Sequence, residues 1–199
     1  MTETDLRQLH RRAAEASVAA VSRATPADLD RPTPCGEWAL RDLLAHMVVQ
    51  NNGFATSAEG GAADLADWQP GPLGPDPVAD YAAATDRVVT AFAADDIYAR
   101  PFALPEISPD FTFPGAQAVG FHVIDCVVHG WDVARSLGIP YGLERDLLAA
   151  ALPIAESVPD GEQRLEPGAS FGPGLSVPDD AALLDRILLL LGRSPNWCR

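Results

Sequence analysis

Apolar residues recur along most of this chain at helical rather than strand spacing. Leu6, Leu9, Ala13, Ala16, Ala20 and Val21 run opposite Arg7, Arg11 and Glu15, which predicts an amphipathic helix over about residues 4–22. Residues 25–30 suit a short helical turn, and the Pro/Gly-rich stretch Arg31-Pro-Thr-Pro-Cys-Gly36 predicts a loop. A second helix follows over about residues 38–57, carrying Leu40, Leu43, Leu44, Met47, Val48 and Phe54, with His46 beside the stripe. Tyr81, Ala84, Val88, Val89 and Phe92 mark a third over about residues 78–94. The fourth opens at Pro114-Gly115 and runs to about Leu137, where Gly138 and Pro140 supply a stop signal. A fifth, over about residues 143–158, contains Pro153, which should kink or shorten it. The last begins at Pro178-Asp-Asp-Ala181 and ends at Gly192; Leu188 to Leu191 are apolar on every side, so the bundle or a second subunit in a homodimer must cover them.

Between these helices, residues 59–77 are rich in Gly, Pro and acids and read as a loop without compact structure of its own. Residues 98–113 alternate aromatics with prolines and predict an irregular excursion or small hairpin packed across the helices. No repeat and no linker divides the chain. The expectation is one all-α domain over residues 1–199, with a core bundle at about 4–138 and a carboxy-terminal extension at about 139–199.

Composition narrows the functions. A net charge of -14 and a pI near 4.4 argue against nucleic acid or an anionic membrane as partner, because no cluster of cations offsets the acids. All 14 basic residues are arginine, so any mechanism needing a lysine amine is excluded. No run approaches the ~20 apolar residues of a membrane span, and the first residues are acidic rather than those of a signal peptide, which predicts a cytoplasmic protein. Cys35, Cys126 and Cys198 lie far apart and read as free thiols.

The chemistry should lie in the fourth helix, where Gly120 to Arg135 interrupts an apolar pattern with His122, Asp125, Cys126 and His129. Residues at these intervals share one broad helical face. Asp125 and His129 are one turn apart and can reach one ion, and His46 from the second helix can complete a two-histidine, one-carboxylate set with an open position for water or substrate. Pairings of His122 with Cys126, or of Cys126 with His129, fit the spacing too, and a thiolate ligand would favour zinc. A polar network satisfied by its own hydrogen bonds is the plainer alternative. Asp132 could orient a ligand imidazole; Trp38 and Trp131 suit a core or a pocket wall.

Three segments together resemble a known family: Thr33-Pro-Cys-Gly-Glu-Trp-Ala-Leu-Arg-Asp-Leu-Leu-Ala-His46, Asp125-Cys-Val-Val-His-Gly-Trp-Asp-Val-Ala134, and Leu191-Gly-Arg-Ser-Pro-Asn-Trp197. They are similar to actinobacterial relatives of the mycothiol-dependent maleylpyruvate isomerase metal-binding domain, within the DinB-like superfamily of four-helix bundles, that lack that isomerase's additional carboxy-terminal domain. The resemblance implies a four-helix bundle holding one divalent ion, usually zinc, at His46, Asp125 and His129, with Asp125 shorter than the Glu or His of many relatives. It further implies a thiol-transferase or isomerase in which mycothiol or a similar small thiol meets an electrophile. A metal-braced binding or stress-response module and a metal-dependent hydrolase are the competing readings, the latter with only His122 or Asp132 as candidate general base.

Overall fold

The structure, a computed structural model, describes residues 5–61, 64–166 and 169–198. Its described residues form six α-helices and one two-stranded hairpin: α1 (Leu6–Val21), α2 (Leu40–Ala58), α3 (Pro77–Phe92), β1 (Pro101–Ala103), β2 (Thr112–Pro114), α4 (Gly115–Leu137), α5 (Arg145–Ser157) and α6 (Leu183–Leu190). Local chemistry sets the helix ends. The Asp5 carboxylate accepts from the Arg7 backbone N–H at the start of α1, and Asp76 accepts from Ala79 N–H ahead of Pro77 at the start of α3. Gly138, at φ 71°, closes α4 in the left-handed conformation that glycine adopts without strain.

The first four helices make the bundle: α1 packs against α4 and α3, and α2 packs against α3 and α4. One end of the core gathers Leu40, Leu43, Leu44, Met47 and Tyr81 with Val133 and Ala134 of α4. The other gathers Phe54, Phe92, Phe102 and Phe113 around Val119. The helices α5 and α6 cover a third face, where Ile187, Leu188 and Leu191 are buried with Leu147 and Ala151. Leu188 and Leu191 of the last apolar run are thus covered within the chain, whereas Leu189 and Leu190 stay partly exposed.

The expected hairpin is present: β1 and β2 pair antiparallel, with Phe102 opposite Phe113. Both rings turn into the core, which pins the intervening loop to the bundle. Residues 59–77 depart from expectation, because a short 3₁₀ turn at Leu65–Trp68 buries the Trp68 indole against Gly53 of α2. A Cβ at Gly53 would lie 2.7 Å from that ring. The last helix starts at Leu183, later than expected, because Pro178 to Ala182 form a turn with Ala181 N–H donating to Pro178 C=O. Pro153 lies inside α5 without ending it. No helix among the described residues is long and apolar enough to cross a membrane.

Candidate metal centre

Where α2 passes α4, His46 meets Asp125 and His129, and one ligand atom from each lies within 4.8 Å of the others. The imidazoles of His46 and His129 stand nearly edge to face, with centroids 5.1 Å apart. Asp125 Oδ1 lies 3.4 Å from His129 Nε2, so the short aspartate side chain reaches the shared space from one turn away. Trp38, half-exposed at the end of the loop that leads into α2, covers the other side of His46 at 4.9 Å.

A second set of groups holds His129 from behind. Its Nδ1 lies 3.0 Å from Asp132 Oδ2, which turns Nε2 toward Asp125 and His46. Asp132 is fully buried and is held in turn by Arg193, whose Nε donates to Oδ1 at 3.2 Å. The Cys35 thiol donates to Asp132 Oδ2 at 2.9 Å, and Arg193 Nη2 lies 3.4 Å from its sulfur. One carboxylate therefore ties together the loop before α2, helix α4 and the chain after α6.

Electrostatics follow this arrangement. Burial, reinforced by the charges of His129 and Arg193, pushes His46 down to about 3, so its imidazole is neutral with a free lone pair. Burial opposes charge on His129 as well, but Asp125, Asp132 and Cys35 outweigh it and raise His129 well above the ordinary histidine range. Burial raises Asp125 against the pull of His129. For Asp132 the same burial is overcome by Arg193 and His129, leaving the carboxyl below its usual range.

His122 and Cys126 belong elsewhere. His122 Nδ1 is 2.8 Å from His10 Nε2, and Cys126 Sγ is 3.6 Å from that same Nδ1. His122 Nε2 is 3.0 Å from Asn51 Oδ1, Asn51 Nδ2 donates to Thr85 Oγ1 at 2.8 Å, and the Thr85 hydroxyl donates to Tyr81 C=O. Read backwards from that carbonyl, the chain has one polarity: Asn51 must accept from His122 Nε2–H, and His122 Nδ1 must accept from His10. Burial drives His10 down to about 3 and His122 well below its normal value, so both are neutral. The four polar residues of α4 thus split between two clusters. At ~100° and ~1.5 Å per residue, Asp125 and His129 lean to one side of the shared face and His122 and Cys126 to the other, with ~10 Å of axis between the two histidines. Trp131 is buried core, with the Arg135 guanidinium 5.7 Å from its ring.

The donor chemistry at His46, Asp125 and His129 fits a divalent ion. It combines one neutral imidazole, one carboxylate and one imidazole whose far nitrogen is engaged by a buried carboxylate, the arrangement that orients histidine ligands. Three such groups around one ion would leave a position for an exogenous ligand. Sequence reasoning alone did not find Arg193 or Cys35 around this site, nor the hydrogen bond of Gln50 to Glu106 one turn further along α2. The first two lie inside the family-like segments, but nothing local reveals that a buried guanidinium and a thiol share Asp132. A separate cavity of about 870 Å³, lined by Leu29, Arg41, Leu44, Leu73 and Val78 among others, contains none of the site side chains.

Comparison with known proteins agrees with this architecture. Two uncharacterized proteins of Mycobacterium tuberculosis, Rv0738 and MT0763, are each 28% identical over 187 residues, covering 93% of this chain and 96% of their own. The crystal structure of the mycothiol-dependent maleylpyruvate isomerase superposes with a TM-score of 0.64 at 13% identity, covering 96% of this chain and 89% of that one. This likeness of fold extends into the segment after α4 that contributes Arg193. The family model described as the mycothiol maleylpyruvate isomerase N-terminal domain matches residues 10–134, well over half of the chain. The chain belongs to the mycothiol maleylpyruvate isomerase N-terminal domain family.

Proposed function

We propose that this protein is a metal-dependent thiol transferase or isomerase that brings mycothiol, or a thiol like it, to a small electrophilic substrate. The observation that supports this most is the convergence of His46, Asp125 and His129, with Asp132 fixing the tautomer of His129, in a chain of this family. A divalent ion held by these three residues, zinc by preference, supplies a Lewis acid that lowers the pKa of a thiol or water at its open position.

The protein's own groups set the conditions. His46 presents a neutral imidazole, and Asp125 offsets positive charge in a space largely closed to water. Trp38 places an aromatic wall beside His46, half open to solvent, where a small unsaturated substrate can stack. The cytoplasm, where small thiols stay reduced, is the compartment this reading requires.

The test is reconstitution. Purified protein loaded with zinc is assayed for mycothiol conjugation to small electrophiles and for cis–trans isomerisation of maleylpyruvate. Turnover that disappears in His46→Ala and His129→Ala supports the reading. Stoichiometric metal with a chelator-sensitive melting temperature but no thiol chemistry supports the metal-braced module instead.

A further inference from the structure

A thiol must lose its proton to become a nucleophile, and the two candidate bases read from the sequence are both engaged. Asp132 is ion-paired with Arg193 and bonded to His129 and Cys35. His122 has both ring nitrogens committed to His10 and Asn51. The loop between β1 and β2 brings a different carboxylate. Gln50 follows His46 by one helical turn on the same side of α2, and its buried side chain donates Nε2–H to a carboxylate oxygen of Glu106. Leu104, 1% exposed, anchors the loop two residues earlier. The carboxylate is thereby held by a residue one turn of α2 beyond His46, while the rest of Glu106 faces solvent.

The electrostatics agree with this placement. Partial burial raises its carboxyl, the Gln50 hydrogen bond opposes the rise, and the charge of Asp125 on α4 adds to it. Gln50 from α2 is neutral, so the charge that acts on Glu106 is that of Asp125. Here, then, is a carboxylate held by a side chain one helical turn from His46, with no cationic partner among the ion pairs of the described residues.

We propose that Glu106 is the proton acceptor for the thiol that enters this site. As the thiol arrives, its S–H bond breaks, the electron pair stays on sulfur, and the proton forms an O–H bond on Glu106. When the sulfur adds to the electrophile, the carboxylic acid returns that proton to the adduct. Gln50 is the positioning residue that holds the carboxylate toward His46. This role rests on the thiol-transfer reading above.

Proton counting tests it without relying on turnover. Mycothiol is titrated into the full-length, zinc-loaded protein by calorimetry, in paired buffers of different ionisation enthalpy, at about pH 6 and about pH 8. At the lower pH the wild type releases clearly less than one proton per thiol bound, because Glu106 keeps it. Glu106→Gln releases a full proton at both, keeps its zinc, and loses about 100-fold in kcat with little change in thiol KM; Glu106→Asp recovers part of the loss. Equal proton release by wild type and Glu106→Gln overturns the role of Glu106 alone. Loss of zinc in Glu106→Gln makes it a ligand and overturns the role as well. Failure of the wild type to bind mycothiol overturns both this role and the thiol reading beneath it.

Discussion

Asp132 Oδ2 stands 3.0 Å from His129 Nδ1, one turn along the same helix. This contact decides which nitrogen of His129 faces Asp125 and His46. Removing it in Asp132→Ala frees the ring to turn and to change tautomer. Metal affinity should fall about 10–100-fold, read by competition with a chromophoric chelator. Unchanged affinity would mean that packing alone orients the imidazole.

Arg193 lies beyond the stretch matched to the family, yet it is 7% exposed and ion-paired to a carboxylate with no exposure at all. Arg193→Met leaves Asp132 without its cation and should cost about 3–5 kcal/mol in urea unfolding. Arg193→Lys should recover only part, since a single ammonium cannot reproduce contacts to Asp132, Cys35 and Leu191 C=O together. The double variant Asp132→Ala/Arg193→Met should be less destabilised than the sum of the two single changes.

The buried pair His10 and His122 sets an acid limit on stability. His10 is depressed from 6.5 to about 3 in the folded protein, so between those values the unfolded chain binds a proton that the native state refuses. Stability from this residue is therefore complete above 6.5 and is lost as pH falls toward 3, at up to ~1.4 kcal/mol per pH unit. His10→Leu should flatten the slope of unfolding free energy against pH in that window by about one proton. An unchanged slope would show that the ring titrates freely in the native state.

The long loop before α3 is fastened by Trp68 lying against Gly53. Gly53→Ala places a methyl group into that ring and should cost about 1–3 kcal/mol, with Trp68 fluorescence shifting red as the indole is displaced toward water.

Much of this architecture is legible in the sequence because helical periodicity is a local signal. The stripes at Leu40, Leu43, Leu44 and Met47, and at Tyr81, Ala84 and Val88, each predict the face that is buried. The glycine at 138 marks the end of α4. Asp125 and His129 are readable as a pair because they are one turn apart. Their separation from His122 and Cys126 is not readable, since which side of a broad face each residue takes depends on where α1 and α2 pack. Distance along the chain hides the rest: Arg193 reaches Asp132 across 61 residues and Cys35 across 158. Trp68, in a stretch of loop-forming composition, needed a glycine on another helix to give it a place.

The central claim is that His46, Asp125 and His129 hold one divalent ion. Elemental analysis of protein dialysed against zinc, then freed of loose metal, measures it directly. The account predicts about one ion per chain in the wild type, and near none in His46→Ala, Asp125→Ala and His129→Ala, while His122→Ala keeps its ion. No bound metal in the wild type, or equal occupancy in all four variants, would contradict it.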